Sequence, residues 1–410
     1  MGFWDLLRVD EVFAMITVKR QWGSLKLNLR DDQEDLKFCY EVLNEVSRSF
    51  AAVIMQLDQE MRDAICIFYL VLRALDTIED DMDVSVAKKK EELPIFHKKS
   101  HDLTWCIDGI GKGHEKLLLQ QYYRVSREYQ KLKTPYQEVI SDICERMANG
   151  MCHYLENTVQ TKHDYDMYCH YVAGLVGHGL TRLFASSGME DPHLADDLTS
   201  ANHMGLFLQK TNIIRDYFED ISENPPRIFW PKEIWGNFTD DLHSFKDPQN
   251  IKTALECLNA MICDAMQHLP FVVEYMASLK TQSLFLFCAI PQVMAIATLA
   301  KLYNNPGVFN SKVKIRKGLA CKIMLHCDNL ASALTQFNVH LTEMETSLKE
   351  EDPSFDLSRV LLATGRQHLV AHCKVDKVSY ARSFITRYPA LGGQLLYSLI
   401  DGVGSYFRKN

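Results

Sequence analysis

The chain has 410 residues, with 53 acidic and 45 basic side chains, so its formal net charge is −8. Hydrophobic residues make up 47% of it and charged residues 24%, which is typical of a soluble globular protein and excludes a disordered chain, a collagen and a protein with many membrane spans. A mildly acidic chain lacks the clustered positive charge that binds phosphate backbones, so nucleic acid is not an expected partner.

The cysteines and the first residues indicate the expected compartment. Twelve cysteines stand at uneven separations without a C-x-x-C pair, so neither a zinc ribbon nor a disulfide framework is expected. We expect free thiols in a reducing environment. The first eight residues have an acid at position 5 and no continuous apolar core, so they do not resemble a secretory signal.

Apolar residues recur every three or four positions through long stretches, whereas strand patterns are scarce. The stretches are 34–57, 61–83, 115–131, 136–160, 166–187, 198–220, 250–280, 282–303 and 312–349. This pattern predicts an all-α protein with one domain. Most prolines fall between the stretches, but Pro270 and Pro291 lie inside and predict a kink or break. The segments Lys88 to Lys99 and Asp240 to Asn250 are predicted to be surface connections.

The first candidate site is an acidic cluster at the end of a predicted apolar helix. At 100° per residue, Asp76, Glu79, Asp80 and Asp83 share one helix face. Like charges at this spacing destabilise a helix by about 0.2 to 0.5 kcal/mol per pair, so the cluster needs a compensating cation. A solvated helix end would explain Asp81 and Asp83 but not Asp76, which continues the apolar face. The cluster therefore indicates a metal site.

A second acidic cluster lies in a later predicted helix. Asn212, Asp216 and Asp220 follow one another at intervals of four, with Glu219 beside them. Two such helices facing across a bundle cavity can hold hard cations, and Mg²⁺ then takes waters and substrate phosphates as its remaining ligands. A diphosphate is the natural ligand. Arginines near the polar residues would stabilise it as a leaving group; they are Arg48, Arg73 and Arg215.

Six blocks of residues, in order along the chain, closely resemble the motifs of squalene synthases within the squalene/phytoene synthase family. They are Ser47 to Phe50, Asp76 to Asp81, Tyr168 to Gly177, Gln209 to Asp220, Cys288 to Ala295 and Val313 to Gly318. Single D-x-x-x-D motifs occur by chance, but six ordered blocks do not. The resemblance extends over about residues 36–320.

The resemblance implies a single-domain isoprenoid-synthase helical bundle around a central cavity. It also implies head-to-head condensation of two farnesyl diphosphates to presqualene diphosphate, followed by Mg²⁺-assisted ionisation, rearrangement and reduction by NADPH to squalene, for sterol biosynthesis. Mn²⁺ could replace Mg²⁺. The implied division is an N-terminal segment 1–35, a catalytic domain 36–350 and a C-terminal helical segment 351–410.

The resemblance also implies roles for individual residues. The metal ligands would be Asp76, Glu79, Asp80, Asp216 and Asp220, which with Tyr168 form the catalytic set. Substrate would be bound by Ser47, Arg48, Ser49, Phe50, Tyr69, Arg73, Tyr171, Gln209, Asn212, Arg215, Arg227, Phe285 and Phe287. NADPH phosphates would be bound by Arg48, Arg73, Arg215, Lys314 and Arg316. Either Tyr168 or Tyr171 could be the key tyrosine, and we favour Tyr168 for proton removal or cation stabilisation.

The implied setting is the endoplasmic reticulum membrane, with a monomeric catalytic domain facing the cytosol and releasing its apolar product at the membrane surface. The expected C-terminal anchor is weak here: residues 389–407 hold one charge, but glycine and serine dilute the apolar run.

Three other functions compete with this interpretation. A phytoene-type synthase would use the same clusters without reduction, and the basic block Lys314 to Lys317 argues against it. A chain-elongating prenyltransferase would need D-D-x-x-D, which neither cluster provides. A non-catalytic scaffold would be free to lose metal ligands, yet all four D-x-x-x-D aspartates are present.

Overall fold

The structure is a computed structural model that describes residues 9–21 and 33–372, and within these ranges every regular element is a helix. The prediction of an all-α protein is confirmed. The helices are α1 (Val9–Gln21), α2 (Glu34–Val46), α3 (Arg48–Ile54), α4 (Gln59–Asp80), α5 (Val86–Glu92), α6 (Gly113–Gln120), α7 (Tyr122–Lys131), α8 (Thr134–Tyr154), α9 (Lys162–Cys169), α10 (Leu175–Ser187), α11 (Thr199–Arg215), α12 (Tyr217–Asp220), α13 (Lys232–Trp235), α14 (Ile251–Met266), α15 (Leu269–Ser278), α16 (Gln282–Leu302), α17 (Lys317–Leu325), α18 (Leu330–Thr346) and α19 (Phe355–His372).

Short tighter or wider helical turns join several of these helices. A π-helix, His170–Gly174, links α9 to α10. The 3₁₀ turns are Leu93–His101, Pro192–Ala195, Leu242–Lys246, Pro248–Asn250 and Pro306–Phe309. The eleven cysteines in the described part of the chain are free thiols.

Helix α4 forms the centre of the fold because its apolar run is buried on most sides. The residues from Ala64 to Phe68 and from Leu70 to Leu72 are all buried. The helix ends at Asp80, and the carboxylate of Asp81 accepts hydrogen bonds from the backbone N–H of Asp83 and of Gly111, at 2.9 and 2.6 Å. The expectation that Asp83 shares the helical face is therefore wrong, because the chain turns before it.

Helices α10 and α11 pack closely because glycines face the partner backbone. A Cβ atom on Gly177 would lie 2.2 Å from the carbonyl oxygen of Ala201, and one on Gly205 would lie 2.3 Å from that of Ala173. Since real Cβ atoms do not come so close, only glycine permits this contact. The close approach positions α11, which carries Gln209 and Asn212.

The breaks in the long stretches differ in part from prediction. Helix α2 ends before Ser47, and α11 ends at Arg215, because the next residue, Asp216, has a φ of −92° and a ψ of 8°, which are not helical. A break before Pro270 is confirmed, with the proline in the first turn of α15, whereas α16 continues through Pro291. The stretch 312–349 is wrong as one helix: it comprises a loop, α17 and α18.

The prediction of a surface connection from Lys88 to Lys99 is also wrong. This segment forms the end of α5 and a 3₁₀ helix, in which Leu93 and Phe96 are fully buried. Lysines flank these two apolar residues in sequence, so the high average polarity of the segment wrongly indicated an exposed loop. The segment Asp240 to Asn250 contains two short 3₁₀ turns that bury Leu242 and Phe245.

Helix α16 is long and apolar enough to cross a membrane, with a mean hydropathy of 2.0, but 72% of its most apolar stretch is buried inside the protein. It is therefore a core helix of the bundle. The weak candidate anchor at 389–407 lies outside the described residues.

A buried lysine joins three helices next to the cavity. Lys210 of α11 is only 1% exposed, and its Nζ lies 2.5 Å from Asp166 Oδ1 in α9 and 2.6 Å from Asp264 Oδ2 in α14. The Nζ also lies 4.9 Å from the centre of the Tyr165 ring. Two carboxylates and a ring face satisfy a charge that has lost its water, so the three helices are held in register beside Gln209.

We predict that Lys210→Met lowers the free energy of unfolding by about 3 to 5 kcal/mol, because it leaves the buried Asp264 carboxylate without its cation. Urea unfolding followed by circular dichroism measures this. Lys252→Met is the matched control, since Lys252 is 78% exposed and its ion pair with Glu256 spans 3.9 Å. A loss for Lys210→Met no larger than that of the control would contradict the structural role.

Candidate active site

Helices α4, α10, α11 and α16 surround a cavity of about 290 Å³. Its polar lining residues are Arg73, Asp76, Gln209 and Asn212, from the C-terminal halves of α4 and α11, and Gln292 of α16. The remaining lining is almost entirely apolar and includes Phe50, Ile65, Phe68, Tyr69, Leu72, Met147, Val172, Val176, Leu180, Met204, Leu208, Phe287 and Pro291. The cavity therefore suits a long hydrocarbon with one polar end.

The structure places six of the thirteen predicted substrate-binding residues in this cavity. Phe50, Tyr69 and Phe287 line it together with the polar set above, whereas Phe285 is buried and is absent from the lining. The assignment of Phe285 to substrate binding stays a prediction; the residue lies two positions before Phe287 on α16, so it points to another side of the helix. Of the Ser47 to Phe50 block, the side chains of Arg48 and Ser49 lie outside the described part of the structure.

The first acidic cluster is held in a site with little water. Burial raises the pKa of Asp76 to about 7, against the opposing charge of Arg73 and with added repulsion from Asp80. Burial and the neighbouring Asp80 raise the pKa of Glu79 to about 8. These carboxyl groups are thus short of positive charge.

The second cluster faces the first. Arg215 donates to both carboxylate oxygens of Asp216, from Nε at 2.8 Å and from Nη2 at 2.6 Å. Burial raises the pKa of Asp220 to about 7, and repulsion from Asp216, Glu219 and Asp80 contributes. Because Asp80 belongs to α4 and Asp220 to α12, this repulsion means that the two predicted clusters are brought together.

Arg227 bridges the two clusters. Its Nη2 lies 2.7 Å from Asp80 Oδ1, and its backbone N–H donates to the carbonyl oxygen of Asp220 at 3.0 Å. It offsets the negative charge where the clusters meet. Arg227, a predicted substrate-binding residue, thus lies in contact with the carboxylate of Asp80 and the backbone of Asp220.

The donor set suits magnesium. In the described ranges no group of three acidic, histidine or cysteine side chains converges closely enough to form an all-protein metal cage. Mg²⁺ does not need one, since it is usually held by one or two carboxylates and completes its shell with water and substrate phosphate. Crowded carboxylates with raised pKa values and a bridging guanidinium fit such a cation.

Tyr168 lies beside these carboxylates. Its ring stacks on Phe229 at 5.0 Å and meets the edge of Tyr154 at 5.2 Å, and the Arg227 guanidinium lies 4.9 Å from the Phe229 ring centre. Burial raises the pKa of Tyr168 well above its usual value, and the negative charge of Glu79 adds to the shift. The phenol is therefore neutral and fixed in orientation.

Tyr171 occupies a different place. It lies in the π-helix and packs on Gly150, where an added Cβ would come within 2.1 Å of the ring.

On the cavity wall, Arg73 Nη2 donates to the hydroxyl of Tyr69 at 3.0 Å, and the Tyr69 ring lies 6.2 Å from that of Phe50. These contacts align Arg73 towards the polar end of the cavity.

The basic block lies in the loop before α17. Lys314 is exposed, but Arg316 is held by Glu11 of α1, with Nε 3.0 Å from Oε2 and Nη2 2.6 Å from Oε1. In the same loop Lys312 forms an ion pair with Glu219 of the second cluster. The sequence analysis missed both Glu11 and Lys312. No local signal marks Glu11, whose partner is 305 positions away.

Comparison with known proteins agrees with this geometry. Residues 43–318 match the family model described as squalene/phytoene synthase. The chain is 45% identical over 417 residues to squalene synthase of Mus musculus, covering all of both chains, and 44% identical over 416 residues to that of Homo sapiens, covering all of this chain and 99% of the other. A solved complex of TcSQS with the ligand BPH1237 superposes with a TM-score of 0.82 at 57% identity, covering 83% of this chain and all of that one.

Proposed function

The chain belongs to the squalene/phytoene synthase family and condenses farnesyl diphosphate to squalene for sterol biosynthesis, and we propose that its two facing carboxylate clusters drive the ionisation steps. The observation that carries this proposal is that Arg227 contacts both Asp80 and Asp220, whose charges repel, while Asp76, one turn before Asp80, lines the polar end of an otherwise apolar cavity. A farnesyl diphosphate has the same division, with a charged head and a C15 tail.

Asp76, Glu79, Asp80, Asp216 and Asp220 are the proposed holders of Mg²⁺, which Mn²⁺ could replace. When bound, the metal supplies positive charge that stabilises the departing diphosphate. Arg73 lines the cavity and Arg215 holds Asp216, and both would orient the phosphate oxygens by charge-assisted hydrogen bonds. Arg227 already binds the Asp80 carboxylate. When Mg²⁺ binds, the metal and Arg227 must share that carboxylate.

The apolar wall has to shield an allylic cation from water, since a captured cation would end as an alcohol. Phe50 and Phe287 line the cavity and present aromatic faces, which attract positive charge. Proton loss after the first condensation closes the cyclopropane of presqualene diphosphate. Tyr168, held between Phe229 and Tyr154 beside Glu79, is the proposed group that receives that proton or stabilises the cation.

NADPH is the proposed reductant of the second step, and when bound it supplies a hydride. The donors in the loop before α17 suit its phosphates. The Glu11 carboxylate already occupies Nε and Nη2 of Arg316, which supports an anion site there, and Lys314 is exposed two positions earlier. Lys312 ties this loop to Glu219, so the site borders the second cluster. Arg48, Arg73 and Arg215 are further proposed phosphate contacts.

We also propose that the protein works as a monomer at the endoplasmic reticulum membrane, with the catalytic domain in the cytosol. The product is a hydrocarbon without a polar group, so delivery to a lipid surface avoids its exposure to water. Any contribution of residues 389–407 falls outside the described structure.

Incubation of the purified full chain with farnesyl diphosphate and Mg²⁺, with and without NADPH, tests this function. We predict squalene when NADPH is present. Without NADPH, farnesyl diphosphate should still be consumed, and presqualene diphosphate or its rearranged alcohols should accumulate, because hydride is needed only after the second ionisation. An equal yield of C30 hydrocarbon without NADPH would indicate a phytoene-type synthase. No consumption of farnesyl diphosphate at all would indicate a non-catalytic relative.

Tyr168→Phe should reduce the rate of presqualene diphosphate formation by about 10² to 10⁴, because it removes the hydroxyl and keeps the ring stack. Binding of farnesyl diphosphate should be retained, as measured by calorimetry with the unreactive thio-analogue of the substrate. Tyr171→Phe is the matched control. If Tyr171→Phe shows the large loss and Tyr168→Phe does not, the proton-handling role belongs to Tyr171.

A further inference from the structure

An acidic side chain of the N-terminal helix binds the guanidinium of Arg316, in the loop that Lys312 ties to the second cluster. Glu11 is only 7% exposed, and its two carboxylate oxygens accept three hydrogen bonds from Nε and Nη2 of Arg316, at 2.6 to 3.1 Å. This is the bidentate arrangement in which arginine binds carboxylates and phosphates. An anion on the same edge of Arg316 would have to take the place of Glu11.

Two further contacts hold α1 on α17. Lys322 Nζ lies 2.6 Å from Asp10 Oδ2. A Cβ atom on Gly318 would lie 2.5 Å from the Cβ of Glu11, so the absence of a side chain at position 318 permits the approach. The contact is thus a fitted one, built from residues of both helices. Glu11 and Arg316 also make interactions beyond those described above.

The loop that carries Arg316 connects α1 to the reaction site. Lys312 pairs with Glu219 at one end of the loop, and Arg316 pairs with Glu11 at the other. Between them Val313 is buried, and the Lys314 carbonyl accepts a hydrogen bond from Lys301 of α16. The loop is therefore fixed along its length. A phosphate that approaches Arg316, at the end of the loop away from Glu219, would meet the carboxylate of Glu11.

We propose that Glu11 is an internal competitor of the cofactor for Arg316, so that the charge of its carboxylate sets the affinity for NADPH. This inference rests on the assignment of Arg316 to a cofactor phosphate. When the binding-competent form of a protein is only a fraction of the total, the apparent dissociation constant rises by the inverse of that fraction. Glu11 therefore weakens cofactor binding, and farnesyl diphosphate condensation, which needs no cofactor, is unaffected.

The test is equilibrium binding of NADPH to the full chain without farnesyl diphosphate, measured by calorimetry. Glu11→Gln keeps the shape of the side chain and removes its charge, and should lower the NADPH dissociation constant about threefold to tenfold. Glu11→Asp, which shortens the reach to Arg316, should act in the same direction and serves if the glutamine variant folds poorly. Arg316→Gln should raise the dissociation constant by about tenfold or more, since charge-assisted hydrogen bonds are lost.

Asp10→Asn is the matched control, because it weakens the neighbouring α1–α17 ion pair and leaves the Glu11 carboxylate in place. The dissociation constant of NADPH for Asp10→Asn should stay within about twofold of the wild-type value, because the Asp10–Lys322 ion pair is partly exposed and contributes little. If it gains as much affinity as Glu11→Gln, undocking of the helix and not charge competition is responsible, and the proposal is wrong.

Two other outcomes separate this inference from the assignment beneath it. If Arg316→Gln weakens NADPH binding while both Glu11 variants leave it unchanged or weaker, Glu11 orients the arginine and competition is excluded. If Arg316→Gln leaves NADPH binding unchanged, the cofactor assignment itself fails. The rate of presqualene diphosphate formation by Glu11→Gln should equal that of the wild type, and a parallel fall would indicate a general structural effect and overturn the proposal.

Discussion

The main constraint on the site is that the fold holds two sets of carboxylates close together although they repel one another. Asp80 at the end of α4 lies near enough to Asp220 in α12 for its negative charge to raise the pKa of Asp220, which burial already raises. Only Arg227 is seen to bridge them among the described residues. Such a site is unfavourable by itself and becomes favourable when cations and a diphosphate arrive, which is how a binding site can act on a leaving group.

The remainder of the bundle keeps this arrangement in place. Glycine contacts let α10 and α11 approach closely, and buried Lys210 joins α11 to α9 and α14. Helix α11 therefore cannot move independently of its neighbours, and Gln209 and Asn212 stay at the polar end of the cavity. The apolar wall beyond them excludes water from the reacting chains. Helix α11 thus carries both a stabilising residue, Lys210, which is directed away from the cavity, and a lining residue, Gln209, which is directed into it.

The sequence predicted the parts whose signals are local. The apolar run before Asp76 and the i, i+4 spacing of each cluster were enough to predict α4, α11 and the presence of a carboxylate cluster at the C-terminal end of each helix. Tertiary packing decided the rest. Leu93 and Phe96 are buried although lysines flank them, and Asp216 leaves the helical conformation although its neighbours favour a helix. Glu11 could not have been found, because it meets Arg316 across 305 positions and belongs to no motif.

The central claim is that both clusters act on one departing diphosphate, and a double-mutant cycle tests it most directly. Single-turnover rates of farnesyl diphosphate consumption should be measured for Asp80→Asn, Asp220→Asn and the double variant, with helicity checked by circular dichroism. Residues that act as a unit lose most of their effect once one is removed. We therefore predict that the double variant is about as slow as the slower single variant. Independent losses that multiply in the double variant would contradict the account, because the two clusters would then serve separate sites.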